Sequence, residues 1–144
     1  MVWGASGGIG SAVVERLAGD GWTVIGVVRD ASSVTHSLSH VVEADVADAT
    51  SVQRAVEQIA EAAQGVALWI YAVGDIVSAR VEEMSWDDWR RILDANLTGA
   101  YLAAHYSLPL LAQDAHLVFV GAVSERLRLP GLAAYAVAKA GIEA

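Results

Sequence analysis

Tyr135 and Lys139 stand four positions apart, and this spacing predicts that they lie side by side on one face of a helix. A lysine ammonium close to a phenol favours the phenolate, which makes a tyrosine usable as a general acid or base near neutral pH. An isolated pair of this kind more often belongs to an ordinary helix, in which the tyrosine is half-buried and the lysine is solvated. The pair therefore indicates proton-transfer chemistry only if other residues of the chain support it.

A second candidate is the glycine-rich stretch of residues 4–10, which follows a short apolar segment and precedes a helical pattern. Gly4, Gly8 and Gly10 give it the spacing G-x-x-x-G-x-G. Glycines allow a sharp turn off a strand and a close approach of the backbone to a ligand. The free N–H groups at the start of the next helix attract an anion, typically a nucleotide pyrophosphate. The alternative is a turn that only packs a helix against a strand.

Two polar residues extend this set. Asn96 lies in phase with the apolar stripe of a helix that we predict from about residue 86 to residue 112. A buried amide costs about 1–3 kcal/mol when it lacks hydrogen-bond partners, so Asn96 either belongs to a site or bends the helix and tethers a loop. Asp45 follows a strand predicted at residues 40–43. Its carboxylate can accept a hydrogen bond from an adenine amino group, or it can simply stabilise a turn.

The elements that would position these residues alternate along the chain. Apolar runs predict strands at residues 1–3, 22–28, 40–43, 67–73 and 117–120. Helical spacing predicts helices from the glycine stretch to Gly19, from the N-cap Asp48 to Gly65, from 86 to 112 with a bend at Pro109, and from 133 to 144. This order predicts an α/β fold with a doubly wound parallel sheet in three layers, α/β/α. Its ligands would bind beyond the carboxyl ends of the strands, where the glycine stretch, Asp45, Gly74 and the segment after Val120 fall.

Composition limits the classes of function. A length of 144 residues fits one domain, and the absence of cysteine excludes disulfides and thiolate metal sites. The four histidines show no ligand spacing, so we expect no metal site. A net charge of −8 argues against nucleic acid and anionic membranes as partners, and no apolar run approaches the length of about 18 residues that spans a bilayer. We expect a cytoplasmic protein.

Taken in chain order, these motifs resemble the short-chain dehydrogenase/reductase family, whose fingerprint is T-G-x-x-x-G-x-G, D-V, N-N-A-G, a helix Asn, a Ser and Y-x-x-x-K. The resemblance covers residues 1–144 as one Rossmann-type NAD(P)-binding domain, and Pro130-Gly131 matches the approach to the tyrosine. It implies hydride transfer between a nicotinamide and the carbon of a small carbonyl or alcohol substrate. Tyr135 would transfer the proton, Lys139 would hold the nicotinamide ribose and favour the phenolate, and Asn96 would support a water relay to that lysine. The cofactor-binding residues implied are Gly4, Ser6, Gly8, Ile9, Gly10, Arg29, Asp45, Val46, Gly74, Tyr135 and Lys139.

The chain departs from this fingerprint at several positions. Trp3 replaces the threonine, and residues 71–74 (Y-A-V-G) replace N-N-A-G. The family's catalytic serine lies thirteen residues before the tyrosine, where this chain has Ala122. Losing such a donor to the substrate oxygen costs about 10²–10³ in rate. Ser124 would point to the same side if the chain is still extended there, but about 6.5 Å farther along.

These departures keep three interpretations open. The first is an enzyme with an altered oxygen-binding group, the second a non-catalytic protein that senses NADP through the same fold, and the third a remnant without activity or binding. Val28-Arg29 at the end of the second predicted strand favours NADP(H) over NAD(H), because a guanidinium can pair with a 2′-phosphate. Relatives in the family continue beyond the helix at residues 133–144. We therefore expect a fragment whose sheet is incomplete at its C-terminal side, and a homo-oligomer for the full-length protein.

Overall fold

A computed structural model describes residues 1–34, 38–123 and 129–144. Within these residues, five strands form one sheet in which the pairings are all parallel. The strands are β1 (Val2–Trp3), β2 (Ile25–Val28), β3 (His40–Glu43), β4 (Val66–Tyr71) and β5 (Leu111–Phe119). The helices are α1 (Gly8–Gly19), α2 (Ala49–Ala62), α3 (Trp86–Leu93), α4 (Gly99–Ser107) and α5 (Ala133–Glu143).

The strand order is β3-β2-β1-β4-β5, so the chain starts at the centre of the sheet and winds outward in both directions. This confirms the predicted doubly wound α/β fold. Trp3 pairs with Val27 on one side and with Tyr71 on the other, and Tyr71 in turn pairs with Phe119. The carboxyl ends of these strands therefore reach the same edge of the sheet, where the order of the strands reverses and ligands usually bind.

Both faces of the sheet are covered by helices. Because side chains alternate along a strand, Trp3 and Tyr71 pack on one face with apolar residues of α2 and α4. Val2 and Val28 pack on the opposite face with Val14 of α1. The central strands are thus buried on both sides, as continuous apolar runs predict.

The predicted helix from residue 86 to residue 112 is wrong in its extent. The structure has α3, then a five-residue π-helical turn (Asp94–Thr98), then α4 and a short 3₁₀ turn (Leu108–Leu110). Pro109 lies in that 3₁₀ turn, where a residue without a backbone N–H ends the α-helix rather than bending it. The strand predicted at residues 117–120 therefore starts earlier, at Leu111, and ends at Phe119.

Other boundaries agree better with the sequence. The Asp48 side chain accepts a hydrogen bond from the backbone N–H of Thr50 and caps α2 as predicted. Gly21 follows α1 with a φ of 84°, in the left-handed region that often terminates helices. The helix α2 ends at Ala62 rather than at Gly65, because Ala63 is already extended, and Gly65 with a φ of 70° turns the chain after it. The strand predicted at residues 22–28 is paired only over β2. Across the described ranges, the helices lack the combination of length and apolar character that a membrane crossing needs.

Candidate functional site

A cleft of about 740 Å³ opens at the carboxyl ends of β1, β2, β3 and β4 and is closed on one side by α3 and the residues that follow it. Its volume lies within the range of ordinary small-molecule sites. Six of the residues predicted to bind a cofactor line it, namely Gly4, Ser6, Arg29, Asp45, Val46 and Gly74. The other predicted residues, Gly8, Ile9, Gly10, Asn96, Tyr135 and Lys139, are outside its lining.

The glycine stretch forms a tight turn between β1 and α1. Gly4 has a φ of 79°, and a Cβ there would come within 2.9 Å of the Ala72 carbonyl carbon. A Cβ on Gly10 would overlap the carbonyl of Gly4, because the backbone of α1 is in direct contact with the backbone of the turn there. A Cβ on Gly8, by contrast, would meet no atom of the described residues within 4 Å. Packing against the described residues therefore does not require glycine at position 8.

The first turn of α1 has free donors. Gly7 is its N-cap, and no side chain caps it. The backbone N–H groups at the start of a helix have no partner within the helix and attract anions through the helix dipole. Gly8 and Ile9 are both exposed, so these groups are accessible to a phosphate.

The ends of β2 and β3 present charged side chains. Arg29 is exposed and lines the cleft. Its neighbour Asp30 accepts hydrogen bonds from the Ser32 hydroxyl at 2.7 Å and from the Ser32 backbone N–H at 2.8 Å, which hold the pKa of Asp30 below its usual value. Asp45 accepts a hydrogen bond from the Ala47 N–H at 3.0 Å. Asp45 therefore stabilises a turn and also lines the cleft, and its contact with an adenine stays a prediction.

Asn96, Lys139 and Gly74 converge deeper in the structure. The Asn96 amide is buried and donates to the carbonyls of Asp75 at 2.7 Å and Ile92 at 2.9 Å, while its Oδ1 has no hydrogen-bond partner among the described residues. A Cβ built on Gly74 would lie 3.1 Å from that Oδ1 and 3.9 Å from the Lys139 ammonium. Asn96 Oδ1 and the Lys139 ammonium therefore both lie close to the backbone of Gly74.

Lys139 is only 4% exposed, and its Nζ donates to the Val120 carbonyl at 2.9 Å. Burial lowers the pKa of this ammonium below its usual value. The Nζ also lies 5.6 Å from the centre of the Tyr135 ring, so α5 places the two side chains together as their spacing predicts. The structure thus brings Tyr135, Lys139, Asn96 and Gly74 into one neighbourhood beside the cleft.

The position of the missing serine lies beyond the end of β5. Ala122 is half-buried, and Val120 still donates its N–H to the Tyr71 carbonyl at 3.1 Å. Ser124 lies outside the described residues, so its proposed substitution for the family serine stays a prediction. Among the residues that the structure does describe, no group of three or more His, Asp or Glu side chains is placed to hold a metal ion.

Two residues that contribute to this region were not predicted as site residues. The Tyr71 hydroxyl donates to the Ala95 carbonyl at 2.6 Å. Asp75 pairs with Arg91, which also binds Asp88 at 2.9 Å, and so joins the loop after β4 to α3. Tyr71 was visible in the sequence only as a departure from N-N-A-G, and Asp75 only as the neighbour of Gly74.

Comparison with known proteins gives a consistent set of matches. Residues 4–144 match a family model described as enoyl-(acyl carrier protein) reductase. The chain is 31% identical over 144 residues to 3-oxoacyl-[acyl-carrier-protein] reductase MabA of Mycobacterium tuberculosis, covering 99% of this chain and 58% of that protein. It is 28% identical to meso-2,3-butanediol dehydrogenase of Serratia marcescens, covering 99% of this chain and 60% of that protein.

Solved structures agree. The ligand-free aldohexose dehydrogenase of Thermoplasma acidophilum superimposes with a TM-score of 0.90 at 27% identity, covering 98% of this chain and 56% of that one. A short-chain dehydrogenase/reductase from Serratia marcescens gives a TM-score of 0.87 at 28% identity, covering 98% and 62%. The chain therefore spans less than two thirds of the length of these relatives.

Proposed function

Since this chain belongs to the short-chain dehydrogenase/reductase family, we propose that it binds NAD(P)(H) in the cleft and takes part in hydride transfer to or from a small carbonyl or alcohol substrate. The observation that supports this most is the meeting of Asn96, Lys139 and Gly74 beside Tyr135. Within the described part of the chain, Asn96 Oδ1 has no hydrogen-bond partner and Lys139 Nζ has one, the Val120 carbonyl, although both side chains are buried. We infer that these two groups serve a ligand.

The residues present suit a dinucleotide. Uncapped N–H groups at the start of α1 face an open approach at Gly8, which fits a pyrophosphate. Val28 is uncharged at the position where an acid would bind the ribose 2′-hydroxyl, and Arg29 beside it lines the cleft. Asp30 stays a carboxylate beside Arg29, but its side chain is held by hydrogen bonds from Ser32, and the Arg29 guanidinium is the cation that we propose for a 2′-phosphate. We propose NADP(H) as the preferred cofactor.

The chain's own residues would then share the work. A bound nicotinamide supplies or accepts the hydride. In the reducing direction, Tyr135 would donate its hydroxyl proton to the substrate oxygen. Lys139 stabilises the resulting phenolate and binds the ribose, and the free Oδ1 of Asn96 orders a water that returns a proton. A buried ammonium acts strongly here because little water screens its charge.

A second candidate function is NADP binding without catalysis, and the observation that favours it is Ala122. The family donor to the substrate oxygen is absent at this position. If the site is a slow enzyme, Ala122→Ser should raise kcat by about one to two orders of magnitude, less than the full value of an ideally placed donor. If Ser124 already serves, Ser124→Ala should lower kcat and Ala122→Ser should add little.

Titration with NADPH and NADH, followed by a panel of ketones, aldehydes and alcohols, tests the proposal. We expect Tyr135→Phe to abolish turnover while leaving cofactor affinity nearly intact, and Lys139→Ala to reduce both. Tyr101→Phe is the matched control, because Tyr101 is 62% exposed on α4. Cofactor binding without turnover, in the parent protein as well as in the variants, would favour the sensor. Absence of cofactor binding to the parent protein would refute both functions. A single domain, a cytoplasmic location and a homo-oligomeric full-length protein remain predictions.

A further inference from the structure

We propose that Tyr71 is a positioning residue for the cofactor site: its hydroxyl holds the π-helical turn Asp94–Thr98 and thereby fixes the Asn96 amide next to Gly74 and Lys139. The effect of Tyr71 on cofactor binding rests on the proposed function. The structural part of this inference is independent of that function, because the contacts are internal to the protein.

The first step is the hydroxyl itself. Tyr71 ends β4, is 1% exposed and stacks on Trp69 with ring centres 6.1 Å apart. Its hydroxyl donates to the Ala95 carbonyl at 2.6 Å, across 24 positions of sequence. Burial raises the pKa of this hydroxyl well above its usual value, so it remains a donor at any physiological pH.

The second step is the turn that receives this bond. Residues 94–98 are wound as a π-helix, and the N–H of Gly99 reaches back five positions to the Asp94 carbonyl. Such a widened turn interrupts the regular hydrogen-bond ladder of an α-helix and persists where other groups satisfy it. Tyr71 is a group of this kind because it reaches Ala95 from the sheet.

The third step is the close fit that Gly99 permits. A Cβ at Gly99 would lie 2.7 Å from the Tyr71 hydroxyl and 2.8 Å from Val46 Cβ. The turn can therefore rest against the ends of β3 and β4 only if position 99 lacks a side chain. The Tyr71 hydroxyl can therefore approach the turn closely because Gly99 has no side chain there.

The last step is the effect on Asn96, which lies at the centre of the turn. Its amide N–H groups are both committed to backbone carbonyls, so its Oδ1 direction is set by where the turn sits. That oxygen comes within 3.1 Å of a Cβ position at Gly74, close to the Lys139 ammonium. A turn released from Tyr71 would move the oxygen away from the lysine.

The test uses Tyr71→Phe, with Tyr106→Phe as the matched control because Tyr106 is a half-buried tyrosine on α4. In nuclear magnetic resonance spectra of the 144-residue chain, we expect hydrogen exchange of the Asn96 side-chain amide to rise about tenfold in Tyr71→Phe, the effect of one lost buried hydrogen bond. NADPH affinity should fall by a similar factor, and Tyr106→Phe should change neither.

Unchanged exchange in Tyr71→Phe, or an equal change in Tyr106→Phe, would overturn the proposal. If Tyr71→Phe does not fold, the hydroxyl proton of Tyr71 in the parent chain decides: a slowly exchanging hydroxyl signal with a contact to Ala95 supports the proposal, and a rapidly exchanging hydroxyl refutes it. A parent chain that fails to bind NADPH would defeat the proposed function, while the exchange data would still decide whether Tyr71 holds the turn.

Discussion

Three glycines of α1 should respond to alanine in three different ways, although they belong to one helix. In Gly10→Ala the new methyl would overlap the Gly4 carbonyl oxygen and lie 2.8 Å from its carbon. Both are backbone atoms, so the turn and the helix must separate, and we expect a loss of about 3 kcal/mol in the free energy of unfolding. At Gly19, nothing lies within 4 Å, and alanine should stabilise the helix by about 0.5–1 kcal/mol.

Gly8→Ala is the informative member of the series. No atom of the described residues lies within 4 Å of the added methyl, so stability should stay within about 0.5 kcal/mol of the parent. The methyl would, however, stand where a pyrophosphate approaches the N–H groups of α1. We expect NADPH affinity to fall about tenfold, which corresponds to about 1.4 kcal/mol.

Urea unfolding and NADPH titration of the three variants measure both quantities. Gly19→Ala is the control for binding, because it changes the same helix at its far end. The reasoning about the loop is refuted if Gly8→Ala binds NADPH like the parent protein. It is also refuted if Gly10→Ala is as stable as the parent, since the packing of the turn would then not require glycine.

Three further predictions concern other parts of the site and the sheet. Gly74→Ala should reduce NADPH affinity and shift the Asn96 amide signals, since its methyl would lie 3.1 Å from Asn96 Oδ1 and 3.9 Å from the Lys139 ammonium; near-parent affinity would argue against a ligand there. Arg29→Ala should narrow the preference for NADPH over NADH measured by calorimetry, and equal affinities in the parent would reject the NADP assignment. In a polypeptide of these 144 residues, burial lowers the pKa of the Met1 α-amino group from 8.0 to about 6. The unfolded polypeptide therefore binds more protons between these values, and the free energy of unfolding should rise by about 2 kcal/mol from pH 6 to pH 8. Nα-acetylation should remove most of that rise in thermal or urea unfolding, and a rise that survives acetylation would assign it to other groups.

Local signals in the sequence were sufficient for the order of the elements. Asp48 caps α2, and Gly21 and Gly65 follow helices with positive φ, because these features depend on a few neighbouring residues. The pairing of Tyr135 with Lys139 is equally local, since four positions on a helix bring the side chains together. For these parts, sequence spacing determines geometry directly.

The π-helical turn could not be predicted in the same way. Its sequence continues the apolar stripe of the neighbouring helices, and a periodicity of 3.6 residues cannot show a local widening. The turn depends on the Tyr71 hydroxyl and on the missing side chain of Gly99, which are distant from each other in sequence. The early start of β5 has a similar cause, since Leu111 pairs with Val66 of β4 although the residues that follow it lack an apolar pattern.

The energetics of Asn96 and Lys139 argue that the neighbourhood exists to bind something. An orphaned buried carbonyl oxygen costs about 1–3 kcal/mol, and burying an ammonium costs more unless it is well paired. The Lys139 Nζ has three donors, of which one is matched to Val120 within the described residues. A methionine at 139 and a leucine at 96 would fill similar space without either cost. Asn96 Oδ1 and the Lys139 ammonium both lie close to Gly74. A ligand with a hydroxyl group beside each of them, such as a ribose, would offset both energetic costs.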